Sequence, residues 1–363
     1  MLITNLKIQN FRNYNELNLD FNNGINVIYG NNAQGKTNIL EAIFLTSIGK
    51  SFRTNKDKEL IKMGEDFAKI EVEFSKSDRN GSIKIEISDK KNVYLNGVKI
   101  KKLSELLGNM NIVIFTPDDI NILKSGPAQR RRFLDIFISQ LRPNYVYCLN
   151  LYLKALEQKN NYLKQIKFEN KSEDFLDIWD EKLADYAERV FKYRFEFIEK
   201  LKNKIKDVHS IITENNENIE IEYVTDFTNK NEFLNKLKNN RKLDISKGYS
   251  GKGVHRDDFN IYINKNLVNI YGSQGQHRTA ILSLKMAELK VIYDEIGENP
   301  ILLLDDFMSE LDEKRRINFL SNIKDTQVLI TCTDKFVLEK NKFKLYNVKN
   351  GKIIWYLYYK YLL

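Results

Sequence analysis

The chain has 363 residues, 42% of them apolar and 29% charged, with only 4 Pro, a composition that excludes a disordered, collagen-like or linker-rich protein. Its length is enough for two or three domains' worth of core. Lys and Arg outnumber Asp and Glu by 58 to 49, a net charge of +9 that favours polyanions without assigning DNA, since a surface rich in Lys and Asn gives the same balance.

In chain order, LITNLKI (2–8) alternates apolar and polar residues as a strand does, and it lacks the apolar middle of a signal peptide. INVIYG (25–30) is a second strand. The segment after residue 37, NILEAIFLTSIGK, places Ile39, Leu40, Ile43, Phe44 and Ile48 at helical spacing. KIEVEFSK (69–76) and SIKIEIS (82–88) alternate again, and VYLNGVKI (93–100) carries the Asn96-Gly97 hairpin signal. The character changes near Pro127, and from 128 to about 208 the pattern is helical. One stripe is Leu149, Tyr152, Leu156, Leu163 and Ile166. A second is Tyr186, Val190, Tyr193, Phe197, Leu201, Ile205 and Val208, and the polar ENKSED lies between them. This predicts helices packed as a short hairpin or bundle; thirty helical residues reach about 45 Å, far short of a long coiled coil.

Strand character returns at IEIEYV, after about 217, and at FNIYINKNLVNIYG (259–272). A helix follows from Gln274 to about Ile296, then a buried strand ILLLDD (301–306), a helix around 312–323, and VLITC (328–332). The tail IIWYLYYKYLL reads as a terminal strand with an interface-forming end. Its 11 residues, Lys360 among them, fall short of the roughly 20 that span a bilayer. Cys148 and Cys332 are far apart, and with 3 His there is no zinc-site spacing, which fits a reducing cytosol. Strand–helix order at both ends predicts one α/β domain split by an inserted helical arm.

Three segments carry chemistry. Gly30-Asn31-Asn32-Ala33-Gln34-Gly35-Lys36-Thr37 fits G-x-x-x-x-G-K-[ST] between a strand and a helix. The glycines free the backbone, the loop N–H groups and helix N-terminus attract phosphate, Lys36 reaches the β- and γ-phosphates, and Thr37 offers a hydroxyl to Mg²⁺. ILLLDD ends in two acids: Asp305 for the Mg²⁺ shell, and Asp306 to orient or deprotonate a water. Ser273 and Gly275 stand at a predicted helix start, where exposed N–H groups suit an anion.

YGSQGQHRT (271–279) resembles the S-G-G-Q signature of ABC-type ATPases, which closes on the γ-phosphate held by a partner subunit. SELD (309–312) resembles their D-loop. That resemblance implies an ATP-dependent dimer seamed by Ser273, Gln274, Gly275, Gln276, Ser309, Glu310, Leu311 and Asp312, with Lys36, Asp306 and Gln276 as catalytic candidates. Two departures from the transporter pattern, Asp306 for the usual Glu and Thr331 and Thr333 where a switch His is usual, favour a slow switch over a turnover engine.

LKIQNFRNY, GNNAQGKTN, KSFR (50–53), FTPDD (115–119), GPAQRRRFLD (126–135), HRDD (255–258), YGSQGQHR (271–278) and LLDDFMSELD (303–312) occur in the order in which the RecF family has them. The chain resembles that family from residue 2 to 312, with Val254 standing where a Pro is expected. The resemblance implies an ABC-type P-loop head with mixed sheets, residues 1–125 and 246–363, and an inserted mainly helical arm, 126–245. It also implies ATP and Mg²⁺, an ATP-dependent homodimer, and slow hydrolysis. It further implies binding to DNA near single-strand gaps in the cytoplasm, with RecR and RecO as partners. Arg130, Arg131 and Arg132 offer three guanidinium groups to phosphates or to internal ion pairs, and Lys50, Arg53 and Lys56 are further DNA candidates. His255 and Arg256 either line the nucleotide pocket or bridge to Asp257 and Asp258. Two rival readings are an ABC transporter ATPase subunit, which predicts a Glu at 306 and a switch His, and an SMC-like DNA tether, which needs a far longer arm. A small-molecule kinase has no use for the Ser273 segment.

Overall fold

A computed structural model describes residues 1–306, 319, 323, 325–333, 343–349 and 351–359. Ser309, Glu310, Leu311, Asp312 and most of the expected helix around 312–323 lie outside the described residues. The chain divides into two units, Met1–Asp119 with Glu288–Leu363, and Ile120–Ala287.

The first unit begins with β1 (Leu2–Phe11), β2 (Tyr14–Asp20), β3 (Ile25–Tyr29), α1 (Lys36–Ile48), β4 (Ala68–Ser75), β5 (Asn80–Ile87), β6 (Lys91–Leu95), β7 (Val98–Lys99) and β8 (Ile112–Phe115). Alternation sorts most of these strands into an antiparallel sheet of order β2-β1-β4-β5-β6-β7. Ile70, Val72 and Phe74 of β4 are buried, whereas Glu71 and Glu73 face outward, the pattern of a sheet wet on one side. Asn96 and Gly97 both have positive φ, 50° and 79°, as the two central residues of a type I′ hairpin turn require.

The second unit carries α2 (Asn121–Lys124), α3 (Pro127–Leu141), α4 (Pro143–Glu169), α5 (Leu176–Thr213), β9 (Ile219–Val224), α6 (Lys230–Lys247), β10 (Asp258–Ile263), β11 (Asn266–Leu267) and α7 (Val268–Tyr271), then the start of α8 (Gln274–Ile296). The predicted stripes meet along α4 and α5. Tyr152, Leu156, Leu163 and Ile166 are buried with Val190, Phe197, Leu201, Ile205 and Val208, and Leu149, Tyr186 and Tyr193 are half-buried. At 1.5 Å per residue the 38-residue α5 is about 57 Å long, so the arm is a short one. A buried ion pair joins three helices: Lys159 of α4 lies 2.7 Å from Asp180 of α5 and 3.7 Å from Asp244 of α6.

The contact division differs from the expected one at both boundaries. Residues 120–125 and 246–287, expected in the head, fall in the second unit, the latter with β10 paired antiparallel to β9 from Asp258↔Val224 to Ile263↔Ile219. The sheet β11-β10-β9 therefore completes the helical unit, and the division falls inside α8.

Back in the first unit, β12 (Ile301–Leu304), β13 (Val328–Cys332), β14 (Phe343–Lys349) and β15 (Lys352–Tyr359) join β3 and β8 in a sheet of order β15-β14-β3-β13-β12-β8. All neighbours but β15 and β14 run parallel. INVIY, IVIF, ILLL and VLITC are apolar runs because helices and loops leave such strands little polar company on either face. Residues from both ends of the sequence thus build one sheet, as the strand–helix order predicts. No helix among the described residues is long and apolar enough to cross a membrane.

Candidate nucleotide site

The parallel order β3-β13-β12 sets two segments side by side at the carboxyl ends of the strands, the usual binding edge of an α/β sheet. The loop from Gly30 to Gly35 leaves β3 there and enters α1. Gly30 has φ +156°, and a Cβ on it would stand 2.3 Å from the Val348 carbonyl oxygen of β14. Gly35 has φ +107°, and a Cβ there would meet the Asn13 side chain at 2.5 Å and the Tyr14 hydroxyl at 2.9 Å. Both positions therefore demand glycine for space as well as for dihedral freedom.

The loop is braced from β1–β2. Asn13 Nδ2 donates to the Gln34 carbonyl at 3.0 Å, and the buried Tyr14 hydroxyl donates to the Gly35 carbonyl at 3.0 Å. Asn31, Asn32 and Ala33 at the crest are exposed, and Ala33 has φ +63°. The Lys36 ammonium, 4% exposed, donates to the carbonyls of Gly30 (2.7 Å) and Asn31 (3.1 Å), which holds it inside the curl of the loop.

Thr37 Oγ1 donates to Asp305 Oδ1 at 2.7 Å. Asp305 directly follows β12 and is buried, and burial raises its carboxyl pKa, although hydrogen bonds from Thr37 and Thr331 pull it down. Thr331 of β13, between the two strands, donates to Asp305 Oδ1 at 2.8 Å and accepts the Asp306 N–H at 2.9 Å. Asp306 itself adopts φ +46°, a left-handed turn at the strand end. The sequence marks Thr331 only as the residue replacing a switch His; its role as the clasp between both acids comes from the strand order. Two hard oxygens, Thr37 Oγ1 and Asp305 Oδ1, converge on one point, a donor set suited to Mg²⁺.

A second polar cluster lies on α1. Glu41, fully buried, takes a bidentate pair from Arg12 (2.7 and 2.9 Å), a bond from Arg53 at 3.2 Å and one from the Ser51 hydroxyl at 2.6 Å. Arg53 also donates to Asn38 at 2.7 Å. Arg53, a DNA candidate by sequence, is thus tied to the P-loop helix. Lys50 is exposed, and Lys56 is exposed beside Glu59 at 3.5 Å.

In the second unit the basic run is largely internal. Arg130 is 6% exposed, bidentate to Asp258 at 2.5 and 2.8 Å, and bonded to the carbonyls of Ile122 and Ser125. A guanidinium so enclosed cannot reach a phosphate, so Arg130 is a staple and not a DNA contact. Arg131 donates to the Asp257 carbonyl at 2.8 Å; Arg132 is half-buried. His255, Asp257 and Asp258 of the HRDD segment are likewise engaged within the unit, whereas Arg256 is exposed. Asp257 accepts from Tyr223 (2.5 Å) and Thr225 (2.9 Å), and the His255 ring bridges Tyr152 and the Ser250 carbonyl. His255 and its two acids therefore hold the second unit together. Arg256 stacks over Tyr249.

The predicted helix start at Ser273 is a capping box. The Ser273 N–H donates to Gln276 Oε1 at 3.0 Å, and the Gln276 N–H donates to Ser273 Oγ at 3.2 Å. Ser273, Gln274 and Gly275 are exposed, next to the exposed Ile270 and Tyr271.

A glycine-rich loop at one strand's end, an acid at the end of a strand two places away, and a capped signature helix define an ABC-type P-loop ATPase. The RecF/RecN/SMC N-terminal domain family matches residues 2–353. The chain is 44% identical over 98% of its length to the whole DNA replication and repair protein RecF of Clostridium acetobutylicum, and 43% identical over 94% to 96% of that of Acetivibrio thermocellus. The recombination mediator protein RecF of the RecFOR pathway, solved as RecF-ATPrS, superposes with a TM-score of 0.91 at 40% identity, covering 97% of each chain; the RecF-ATP form also gives 0.91. An Smc head domain from Pyrococcus furiosus shares the fold, at TM-score 0.58 and 17% identity over 98% of this chain and 96% of that one. The chain belongs to the RecF family of DNA replication and repair proteins.

Proposed function

We propose that the chain is an ATP-dependent switch that binds DNA at single-strand gaps, dimerises on ATP and hydrolyses it slowly. In this reading it supports gap repair, replication restart and the SOS response with RecO and RecR, in the cytoplasm on the nucleoid. The observation that carries the nucleotide part is the Thr37–Asp305–Thr331 cluster beside a Lys36 held in the loop. Lys36 and the N–H groups of residues 31–35 hold the phosphates, and Thr37 and Asp305 hold Mg²⁺, which screens the phosphate charge. Asp306 orients the attacking water. Its side chain is one methylene shorter than Glu, and Thr331 engages its N–H instead of a switch His, which supports slow turnover.

Ser273 to Gln276 and Ser309 to Asp312 form the seam in a second copy, where the capped helix start meets the γ-phosphate, with Gln276 near the attacking water. The DNA and partner assignments rest on the relatives, whose pathway name joins RecF to RecO and RecR. Lys50 and Lys56 are the exposed cations that fit phosphate contacts best among those expected, with Arg53, Arg131 and Arg132 half-committed within the chain. The test is fluorescence anisotropy on gapped DNA. ATP strengthens binding of the wild type and not of Lys36→Ala; equal binding with and without ATP refutes the proposal.

A further inference from the structure

The loop joining the long arm helix α5 to β9, residues 214–218, delivers one carboxylate to the capping box of α8. Glu217 Oε1 accepts a hydrogen bond from Gln276 Nε2 at 2.9 Å. Gln276 is the same side chain whose Oε1 takes the Ser273 N–H, so both ends of its amide are engaged. The other Glu217 oxygen, Oε2, lies 3.5 Å from Nε2 of His209, in the last turn of α5, whose side chain is fully buried. Nδ1 of His209 in turn lies 2.9 Å from Ser283 Oγ, two helical turns further along α8. The chain Ser283–His209–Glu217–Gln276–Ser273 therefore begins and ends on α8 and passes through the end of the arm helix.

The geometry of the amide matters. Gln side-chain oxygen and nitrogen are interchangeable in shape, and a flipped Gln276 would aim a donor at the Ser273 N–H. Glu217, an obligate acceptor when ionised, fixes the nitrogen toward itself and leaves the oxygen for Ser273. The Ser283 hydroxyl donates to the Thr279 carbonyl at 2.8 Å, which leaves its oxygen to accept from His209 Nδ1.

We infer that Glu217 is the positioning residue of the signature helix: it locks Gln276 in the orientation that completes the Ser273 cap, and so makes the readiness of the seam depend on the seating of the end of α5. A shift of α5 that withdraws Glu217 frees Gln276 to turn, opens the box and disorders the helix start. The arm would in this way report its state to the nucleotide switch. This rests on the proposed ATP-driven closure for its consequence, but not for the lock itself.

Two measurements separate the lock from its consequence. Hydrogen exchange of the amides of residues 273–277, read without nucleotide, tests the lock. Glu217→Ala exchanges there about tenfold faster than wild type, the scale of one charge-assisted hydrogen bond, whereas Glu217→Gln, whose amide oxygen still accepts, stays within about threefold. Sedimentation with ATP tests the consequence. Dimerisation of Glu217→Ala weakens about tenfold while its affinity for a fluorescent ATP analogue stays within about twofold, and Glu217→Gln recovers. Unchanged exchange in Glu217→Ala, or equal damage in both variants, overturns the inference. A wild type that binds ATP without dimerising sinks the proposed closure, and the exchange data still decide the lock.

Discussion

Thr37 and Asp305, 268 residues apart in the chain, meet through a 2.7 Å hydrogen bond at the carboxyl ends of β3 and β12. Thr331 on the strand between them bonds the same carboxylate oxygen at 2.8 Å. The bond places a P-loop hydroxyl and the acid that ends ILLLDD at one point, where Mg²⁺ would join them to a nucleotide.

That arrangement separates the roles of neighbouring residues. Lys36→Ala removes a charged donor from the loop and should weaken ATP binding about ten- to a hundredfold, by calorimetry with a slowly hydrolysed analogue. Thr37→Ala should leave metal-free nucleotide affinity within a few-fold and abolish most of the gain from added Mg²⁺.

Thr331→Val keeps the shape of β13 and deletes its hydroxyl contacts to Asp305 and Asp306. Asp306 loses the partner of its N–H at 2.9 Å and Asp305 loses one of two hydroxyl donors. Each lost bond near a charged group is worth about 1.5–3 kcal/mol, so Mg²⁺–ATP affinity should fall about tenfold or more. Thr331→Ser, which retains the hydroxyl, should stay near wild type.

The Asp305 carboxyl titrates above its ordinary range because it is buried. A proton then competes with the metal at a higher pH than for an exposed aspartate. Its folded pKa lies above the unfolded one, so its ionised form costs stability at neutral pH, and that cost disappears as pH falls through the raised pKa. Mg²⁺ affinity should therefore decline on acidification sooner than the carboxylate's ordinary value implies. In Asp305→Asn this pH dependence should vanish along with most of the metal affinity, by titration at a series of pH values.

His255 has the opposite sign. Burial lowers its pKa to about 4, helped by Arg256, Arg131 and Lys159, while the Ser250 carbonyl pulls the other way. The unfolded chain takes up a proton near pH 6.5 that the folded chain refuses until about pH 4. Stability is thus lost as pH falls through that window, by about 2–3 kcal/mol from this group. Urea unfolding at pH 7 and pH 4.5 should show a smaller difference in His255→Gln than in wild type.

Much of this was legible in the sequence, and the reasons are local. Gly30 to Thr37 names its own geometry, and the helix from Gln274 to Ile296 has the expected bounds. The hairpin stripes mark the buried faces of α4 and α5 because helical periodicity is set by the same contacts that bury them. What the sequence hides is pairing across long distances. Nothing in GPAQRRRF says that Arg130 will meet Asp258, 128 residues on, so one arginine of a run that looks like a phosphate contact is a buried staple. Likewise HRDD carries no sign that Asp257 will bind Tyr223 and Thr225. β9 and β10 read clearly as strands, but their pairing, which draws residues 246–287 into the second unit, depends on register and not on propensity.

Arg130→Ala should consequently behave as a folding defect. It leaves Asp258 half-buried without its bidentate partner, at a cost of about 3–5 kcal/mol in thermal or denaturant unfolding. The DNA affinity of the molecules that remain folded should be unchanged. Lys50→Ala should do the reverse: normal stability, weaker DNA binding, and a salt dependence shallower by about one unit of slope.

In the proposed switch the loop at Gly30–Thr37 is half of a site completed by Ser273 of a second copy. The most direct measurement is molecular mass by sedimentation velocity, with and without ATP and Mg²⁺, on wild type and Ser273→Arg. The wild type should be a monomer of 42.8 kDa that becomes a dimer only with ATP, and the variant should bind ATP yet stay monomeric. A wild type whose mass is the same with and without ATP, or a Ser273→Arg protein that dimerises like wild type, contradicts it.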